Sequence, residues 1–310
     1  MRHRPCIPNP QRGGALLIAV LAAAVAALVA LALVERGQGA MARTEAVLAA
    51  ERSYQYALGM DALAMQLLEQ AAREGIDPAA LDGQWTAPFE VPGGMIQGRL
   101  IDQSARFNLN SLAHPDAARS TRALESFRRL LLLLELDPVI AVELADWLDP
   151  AATPRPGSVG DAYYARRQPA YRTAGRPLAH VSELRWLRSV DDEVLARLLP
   201  HVTVLPAQFT RININSTSPP VLASLTDMLD LDQARRVVDD GPYGDLEALA
   251  RHPLIQPVAT PAFRQDLMVT SEWYLAHARV VLDGIERDYY RLMSRTGSGY
   301  DFRYFSQGVP

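Results

Sequence analysis

Three aspartates lie in a proline- and glycine-rich stretch of the sequence, where they could bind a cation. Asp146, Asp149 and Asp161 bring carboxylate oxygens to one long segment, and the prolines and glycines between them disfavour regular structure. Calcium takes about six to eight oxygen ligands and often organises such loops. The alternative is a proline-stiffened surface loop in which these aspartates only end a helix or a turn. The pattern therefore indicates calcium as a candidate cofactor, although no cofactor is required.

The other residues capable of chemistry show no arrangement typical of an enzyme. The histidines His114, His180, His201, His252 and His277 are scattered without the spacing of metal ligands. The sequence has neither a Gly-x-Ser-x-Gly motif nor a phosphate-binding glycine loop. The only cysteine, Cys6, precedes the apolar segment, so no disulfide can form within the chain. We therefore expect a protein that is not an enzyme.

The element that precedes these residues is an uninterrupted apolar segment at 14–34. Its sequence, GALLIAVLAAAVAALVALALV, contains no charged or polar side chain, and a helix of that length rises about 30 Å, enough to cross a bilayer core. Arg2, Arg4 and Arg12 precede it without a single acid. The positive-inside bias then places residues 1–13 in the cytoplasm and sends the rest across. The sequence predicts a single-pass membrane protein with its bulk outside the cytoplasm.

A glycine directly in front of the apolar segment allows three interpretations of the N-terminus. A secretory signal peptide has a shorter apolar region than this one. A plain membrane anchor needs flanking charge but has no use for Gly13. A prepilin-type leader is cut after such a glycine, which here places the cleavage between Gly13 and Gly14. The third interpretation explains why a glycine follows Arg12 directly before the apolar segment.

The rest of the chain has the pattern of a long helix followed by strands. Residues 41–73 place apolar side chains at spacings of three and four, and this amphipathic pattern ends at Gly75. Residues 84–110, including 106–109, favour short strands in a meander, and residues 263–282 and 285–293 favour late strands of the same sheet. We expect an α+β fold with a helical insert between the early and late strands.

The insert contains an internal repeat. Residues 107–111, FNLNS, recur as 212–216, ININS, and each copy is followed by a helix, a short turn and a second helix. Such pairs resemble helix-hairpin-helix (SAM-like) modules, whose DNA-binding members present backbone amides of a glycine-containing hairpin to phosphate. The hairpin positions here, 136–138 and 231–233, are acidic and lack glycine. The formal net charge of -4 also gives no basic surface overall. We expect structural packing and no nucleic-acid partner.

Several motifs carry a family resemblance over nearly the whole chain. They lie at 11–13, 106–112, 145–149, 154–157, 181–185, 199–206 and 212–215. In these motifs the sequence resembles the general secretion pathway protein K family, the large minor pseudopilins of bacterial type II secretion. The resemblance implies a pilin-like fold, in which the long N-terminal helix packs on an antiparallel sheet. It also allows a calcium site elsewhere in the chain without indicating its ligands.

The resemblance further implies a function and a set of partners. The chain would be anchored in the inner membrane, be processed by the prepilin peptidase, and form a tip complex with the minor pseudopilins of the I and J classes. It would start pseudopilus assembly, and the resemblance is also compatible with contact between this chain and secreted cargo. The competing interpretation is a bitopic inner-membrane protein with a helical periplasmic binding domain and no role in a filament.

The predicted domain boundaries follow from these patterns. They are a leader at 1–13, a transmembrane helix at 14–34, a pilin-like helix and first strands at 35–112, an all-α insert with two repeats at 113–256, and final strands with a C-terminal tail at 257–310.

One position departs from the wider pilin pattern. If Gly14 becomes the first residue after cleavage, the fifth is Ile18, where most pilins and pseudopilins have a glutamate. That carboxylate is tolerated in lipid because it meets the positive N-terminus of a neighbouring subunit in the filament. A subunit at the filament tip has no such neighbour to meet, and the K family shares this departure. Ile18 therefore favours a position at the tip.

Overall fold

A computed structural model of the chain describes residues 11–74, 83–149, 153–297 and 299–308. The chain divides into two compact units, Met1–Gln55 and Tyr56–Pro310. Residues 1–10 of the predicted leader lie outside the described residues. Helix α1, Gln11–Glu74, runs from the end of that leader to just before the predicted stop at Gly75.

The apolar part of α1 is exposed in the first unit. Every side chain from Leu16 to Val34 is exposed to solvent, and within the described ranges α1 is the one helix long and apolar enough to cross a membrane. A row of bare Leu, Ile, Val and Ala side chains is unfavourable in water, because each apolar Å² left exposed forgoes about 25 cal/mol. The segment is therefore suited to lipid.

The second unit is built on a five-stranded antiparallel sheet with the strand order β1-β2-β7-β8-β9. The five strands of this sheet are β1 (Phe89–Val91), β2 (Gly94–Asp102), β7 (Trp273–Leu282), β8 (Ile285–Thr296) and β9 (Gly299–Gln307). Four short strands lie outside it within the described residues: β3 (Phe107–Asn108), β4 (Val202–Thr203), β5 (Ile212–Asn213) and β6 (Leu267–Met268). In the register, Arg99 lies beside His277, and His277 lies beside Tyr290. The early strands β1 and β2 thus join late strands across the whole insert.

The C-terminal part of α1 covers one face of this sheet. Ala64 and Leu68 are buried in a cluster with strand residues of the same face, namely Leu100, Tyr274, Ala276, Met293 and Tyr300. The Met60 side chain of the helix lies over Gly98, where an added Cβ would be 2.3 Å from Cε of Met60. An ion pair from Asp61 to Arg291, 2.5 Å long, adds a polar contact across the same interface. The predicted helix-on-sheet arrangement is confirmed.

The insert between β2 and β7 is mostly helical. Its helices are α2 (Ala117–Leu133), α3 (Val139–Leu148), α4 (Asp161–Tyr164), α5 (Asp192–Leu198), α6 (Pro219–Ser224), α7 (Leu231–Asp239), α8 (Leu246–Ala250) and α9 (Pro261–Gln265), with 3-10 helices at Leu109–Ala113 and Val181–Trp186. One apolar cluster is centred on Phe127, Leu130 and Ile140, and a second on Leu222 and Val237. The helix pairs α2–α3 and α6–α7 occur where the repeat predicted them. Their assignment to the helix-hairpin-helix class stays a prediction.

Two strand predictions were wrong in detail. Residues 106–109 do not continue the meander, because β3 leaves the main sheet and pairs in parallel with β4. The late strand begins at Trp273 and not at residue 263. The preceding segment forms α9, whose start is stabilised by the Thr260 cap and by a proline in the first turn, and then β6, which pairs with β5. The helix start signals there outweigh the β-rich composition of the following residues.

Candidate functional site

The repeated asparagines connect the insert to itself at two equivalent places. In the first copy, Asn110 donates from Nδ2 to the carbonyls of Leu178 and Leu205, both at 3.0 Å, and its Oδ1 accepts from the amide of Leu178 at 2.7 Å. In the second copy, Asn215 makes the same three bonds, to the carbonyls of Tyr243 and Val269 and from the amide of Tyr243. The repeat is thus a repeat of backbone-binding amides.

The asparagine two positions earlier shapes each copy in the same way. Oδ1 of Asn108 accepts from the amide of Asn110, and Oδ1 of Asn213 accepts from the amide of Asn215, both at 3.1 Å. This is the local Asx turn that asparagine favours. The side chain of Asn213 also donates to Asp102 at 3.2 Å. The second copy is therefore bonded directly to the end of strand β2.

Asp102 is a buried junction between the main sheet and the insert. Its side chain accepts from the amide of Ser104 at 2.8 Å and from the hydroxyls of Ser216 and Ser271, and it is 1% exposed. A buried carboxylate is tolerated when several donors replace its hydration. The role of Asp102 could not be seen in the sequence, because Asn213, Ser216 and Ser271 lie more than 100 residues away along the chain.

The structure shows an arginine between two of the three aspartates predicted to bind calcium. Oδ2 of the buried Asp146 accepts from the amide of Arg155 at 2.8 Å, and its Oδ1 forms an ion pair with the Arg155 guanidinium. The same guanidinium lies 3.5 Å from Oδ2 of Asp149. A cation bound to both carboxylates would have to displace Arg155.

The third aspartate has a different partner. Oδ1 of Asp161 accepts from the amide and the hydroxyl of Thr173, at 2.9 Å and 2.8 Å. These hydrogen bonds, that of the backbone amide first, lower the pKa of Asp161 below its ordinary value. In the part of the chain that the structure describes, no group of three or more His, Cys, Asp or Glu side chains could hold a metal ion. Asp146 lies in α3 and Asp161 begins α4, so the prediction that all three aspartates share one loop was wrong. Calcium would have to replace Arg155 and Thr173 as their partners, and calcium binding by these residues stays a prediction.

The most enzyme-like cluster lies on the sheet at His277. Its Nε2 lies 2.7 Å from Oδ1 of Asp288, and its Nδ1 accepts from Nε of Arg99 at 3.0 Å. Burial lowers the pKa of His277, although the bond to Asp288 opposes this. Both ring nitrogens are occupied, and Tyr290 stacks on the ring at 4.2 Å. A general base needs a ring nitrogen that faces the proton it removes, and here both nitrogens face partners on neighbouring strands. The observed contacts of His277 therefore connect strands β2, β7 and β8.

The residues predicted to matter in filament assembly lie at the start of α1. Gly13 and Gly14 belong to the helix, and Ile18 is 67% exposed among other exposed apolar residues such as Leu21 and Val25. Ile18 thus lies near the N-terminal end of the apolar segment of α1, and cleavage between Gly13 and Gly14 stays a prediction.

Comparisons with known proteins agree with these observations. Two family profiles, each described as type II secretion system (T2SS), protein K, match residues 105–207 and 212–270. A type II secretion system protein K of Pectobacterium carotovorum subsp. carotovorum is 32% identical, over 87% of this chain and 88% of that protein. Another from Pseudomonas aeruginosa is 35% identical, over 74% and 72%.

A solved structure supports the fold. The crystal structure of the GspK-GspI-GspJ complex from the enterotoxigenic Escherichia coli type 2 secretion system contains a chain that aligns with a TM-score of 0.75 at 24% identity. The alignment covers 86% of this chain and all of that chain. The profiles, the relatives and the fold lead to one conclusion: this chain belongs to the type II secretion system protein K family and is a pseudopilin of that system.

Proposed function

We propose that this pseudopilin caps the tip of the pseudopilus and helps to start its assembly for protein export across the outer membrane. The observation that carries the proposal is Ile18, an apolar side chain at the fifth position after the expected cleavage. A glutamate at that depth costs several kcal/mol unless it meets the positive N-terminus of a neighbour. A terminal subunit has no neighbour on one side, so an apolar residue suits it.

The size of the insert supports the same position. Everything between β2 and β7, residues 103–272, lies outside the five-stranded sheet. A thin filament brings equivalent surfaces of successive subunits together. An insert of this size on every subunit would obstruct that packing, whereas a single copy at one end obstructs nothing.

The proposal includes partners and a location. The solved relative assembles with GspI and GspJ, and we expect this chain to bind the I and J minor pseudopilins of its own system. The exposed apolar helix would anchor it in the inner membrane, with the C-terminal bulk in the periplasm. The prepilin peptidase would cut between Gly13 and Gly14. The chain would act by assembly and not by catalysis, and contact with secreted cargo fits a tip position.

The experiment is co-purification of the full chain with its I and J partners from detergent-solubilised membranes. We expect a complex with one copy of each protein, measured by native mass spectrometry. A control that lacks the I partner should abolish the ternary complex without removing this chain from the membrane. A chain that purifies alone, or with several copies of itself per complex, would favour a bitopic protein outside any filament.

A further inference from the structure

The insert contains a strongly basic segment in an acidic protein. Residues 153–190 carry seven arginines and only two acids, whereas the whole chain has a formal net charge of -4. The arginines are Arg155, Arg166, Arg167, Arg172, Arg176, Arg185 and Arg188. Acidic residues elsewhere in the chain outweigh the charge of this segment. For this reason the net charge of the whole chain gave no sign of a basic surface.

Three of these arginines make no ion pair in the part of the chain that the structure describes. Four of the seven are paired with carboxylates, among them Arg176 with Glu183 and Arg188 with Glu143. Arg166, Arg167 and Arg172 are exposed, and none of them forms a salt bridge within the described residues. Arg167 forms a hydrogen bond with Tyr171, and the charge of Arg172 helps to lower the pKa of Asp161. Because no described carboxylate lies within salt-bridge distance of the three guanidinium groups, their positive charges are available to a partner.

Aromatic side chains lie among these arginines. The guanidinium of Arg167 lies 5.6 Å from the ring of Tyr163, and Trp186 is 45% exposed. The ring of Trp186 packs edge-on against Tyr171 at 4.9 Å, and the Tyr171 hydroxyl donates to the Trp186 carbonyl at 3.0 Å. Tyr171 in turn contacts the buried Tyr164 at 5.2 Å. The exposed ring of Trp186 and the half-buried ring of Tyr171 are thus held in place by contacts that reach the buried Tyr164.

We propose that this arginine–aromatic surface, formed by Arg166, Arg167, Arg172, Tyr163, Tyr171 and Trp186, docks an acidic segment of a partner protein. Its charge is the complement of such a segment. Tryptophan, tyrosine and arginine are also the residues that carry most binding energy in protein interfaces. Guanidinium groups match carboxylates with two parallel hydrogen bonds.

An acidic peptide fits this surface better than an anionic lipid surface does. A bilayer attracts basic side chains by charge and also accommodates tryptophan and tyrosine at its interface. It needs no fixed ring geometry, however, whereas the rings of Tyr171 and Trp186 are held by a hydrogen bond and a ring contact, as suits a partner of defined shape. Alternating acidic and apolar side chains of a peptide would contact guanidinium groups and rings in turn. The inference concerns a surface of the insert and does not depend on the position of the chain in the filament.

The test measures binding of a defined acidic peptide to the full chain in detergent micelles. The probe is a short fluorescein-labelled peptide in which glutamates alternate with leucines, followed by fluorescence anisotropy. Replacing the three unpaired arginines, R166E, R167E and R172E, should weaken binding about tenfold or more. The matched control reverses three exposed arginines elsewhere, R236E, R251E and R295E, and should change the Kd by less than about twofold. Both variants lose the same charge, so the comparison isolates the surface.

Further measurements separate the alternatives. Trp186→Ala should weaken binding but leave its salt dependence unchanged, because the ring contributes contact and no charge. Equal melting temperatures of the two triple variants would exclude misfolding as the cause of a difference in Kd. Equal weakening by both would overturn the proposal in favour of nonspecific charge attraction. Binding to phosphatidylglycerol vesicles that R166E, R167E and R172E abolish, with no binding of the peptide, would overturn it in favour of a lipid surface.

Discussion

Replacing Asn110 with alanine should destabilise the insert far more than the equivalent replacement of Asn215. Each side chain makes the same three hydrogen bonds to backbone groups. Asn110 is 3% exposed, whereas Asn215 is only half-buried. The pair thus compares identical bonds in two environments.

The magnitude follows from the groups left without partners. Asn110→Ala orphans the amide and carbonyl of Leu178 and the carbonyl of Leu205, and both residues are buried. Each buried unsatisfied group costs about 1 to 3 kcal/mol, so three such groups should lower the free energy of unfolding by at least about 3 kcal/mol. After Asn215→Ala, water can reach the partly exposed groups of Tyr243 and Val269, and the loss should be about 1 to 2 kcal/mol.

The assay is urea unfolding of the full chain in detergent, followed by circular dichroism. Asn110→Asp is an informative second variant. It keeps the oxygen that accepts from the Leu178 amide, but it replaces the donating Nδ2 with a second oxygen, which would face the carbonyl oxygens of Leu178 and Leu205. It should destabilise at least as strongly as Asn110→Ala. Gln256→Ala, at an exposed position, is the control and should change stability by less than about 0.5 kcal/mol. Equal losses for Asn110→Ala and Asn215→Ala would refute the argument from burial.

Three further predictions concern the N-terminus and the acidic loop. Gly13→Val should block cleavage, so mass spectrometry should find the intact leader on this variant and a first residue of Gly14 on the wild-type chain. An uncut wild-type chain in a strain with active peptidase would contradict the predicted cleavage. Ile18→Glu should not improve tip function and should weaken membrane insertion by about 2 to 3 kcal/mol, which membrane fractionation measures; better secretion by this variant would be the opposite result. If calcium binds the three aspartates, a calcium concentration 100 times Kd should stabilise the fold by about 2.7 kcal/mol and raise its melting temperature. The double variant Asp149→Ala with Asp161→Ala should abolish this increase in melting temperature. Equal melting temperatures in millimolar calcium and in chelator would eliminate the calcium hypothesis.

The elements with strong periodicity could be predicted from the sequence. The apolar run and the spacings of three and four gave α1 nearly to its end at Glu74. A turn at Pro92-Gly93 is consistent with the sequence, because proline followed by glycine favours turns, and Gly93 adopts a positive φ of 89°. The edge strand β9 was only part of a general expectation of final strands, since its alternation of exposed and buried residues is weak.

The parts that could not be predicted depend on contacts between distant residues. Spacing predicted Asp146, Asp149 and Asp161 in one loop, whereas Asp146 lies in α3 and Asp161 begins α4. Nor could spacing show that Arg155 and Thr173 would bind these carboxylates. The motif FNLNS was visible as a repeat, yet its function as a set of backbone-binding amides needed the positions of their partners. The arginines of the basic segment at 153–190 could be counted from the sequence, but only the structure shows which of them lack an ion pair among the described residues.

The most direct test of the tip proposal is immunogold labelling of this protein on isolated pseudopili. A capping subunit lacks the contact that would place another copy beyond it, so the label should occur at one end of each filament and be absent from the shaft. The control is the major pseudopilin, which should be labelled along the whole length. Label from this protein at regular intervals along the shaft would contradict the proposal.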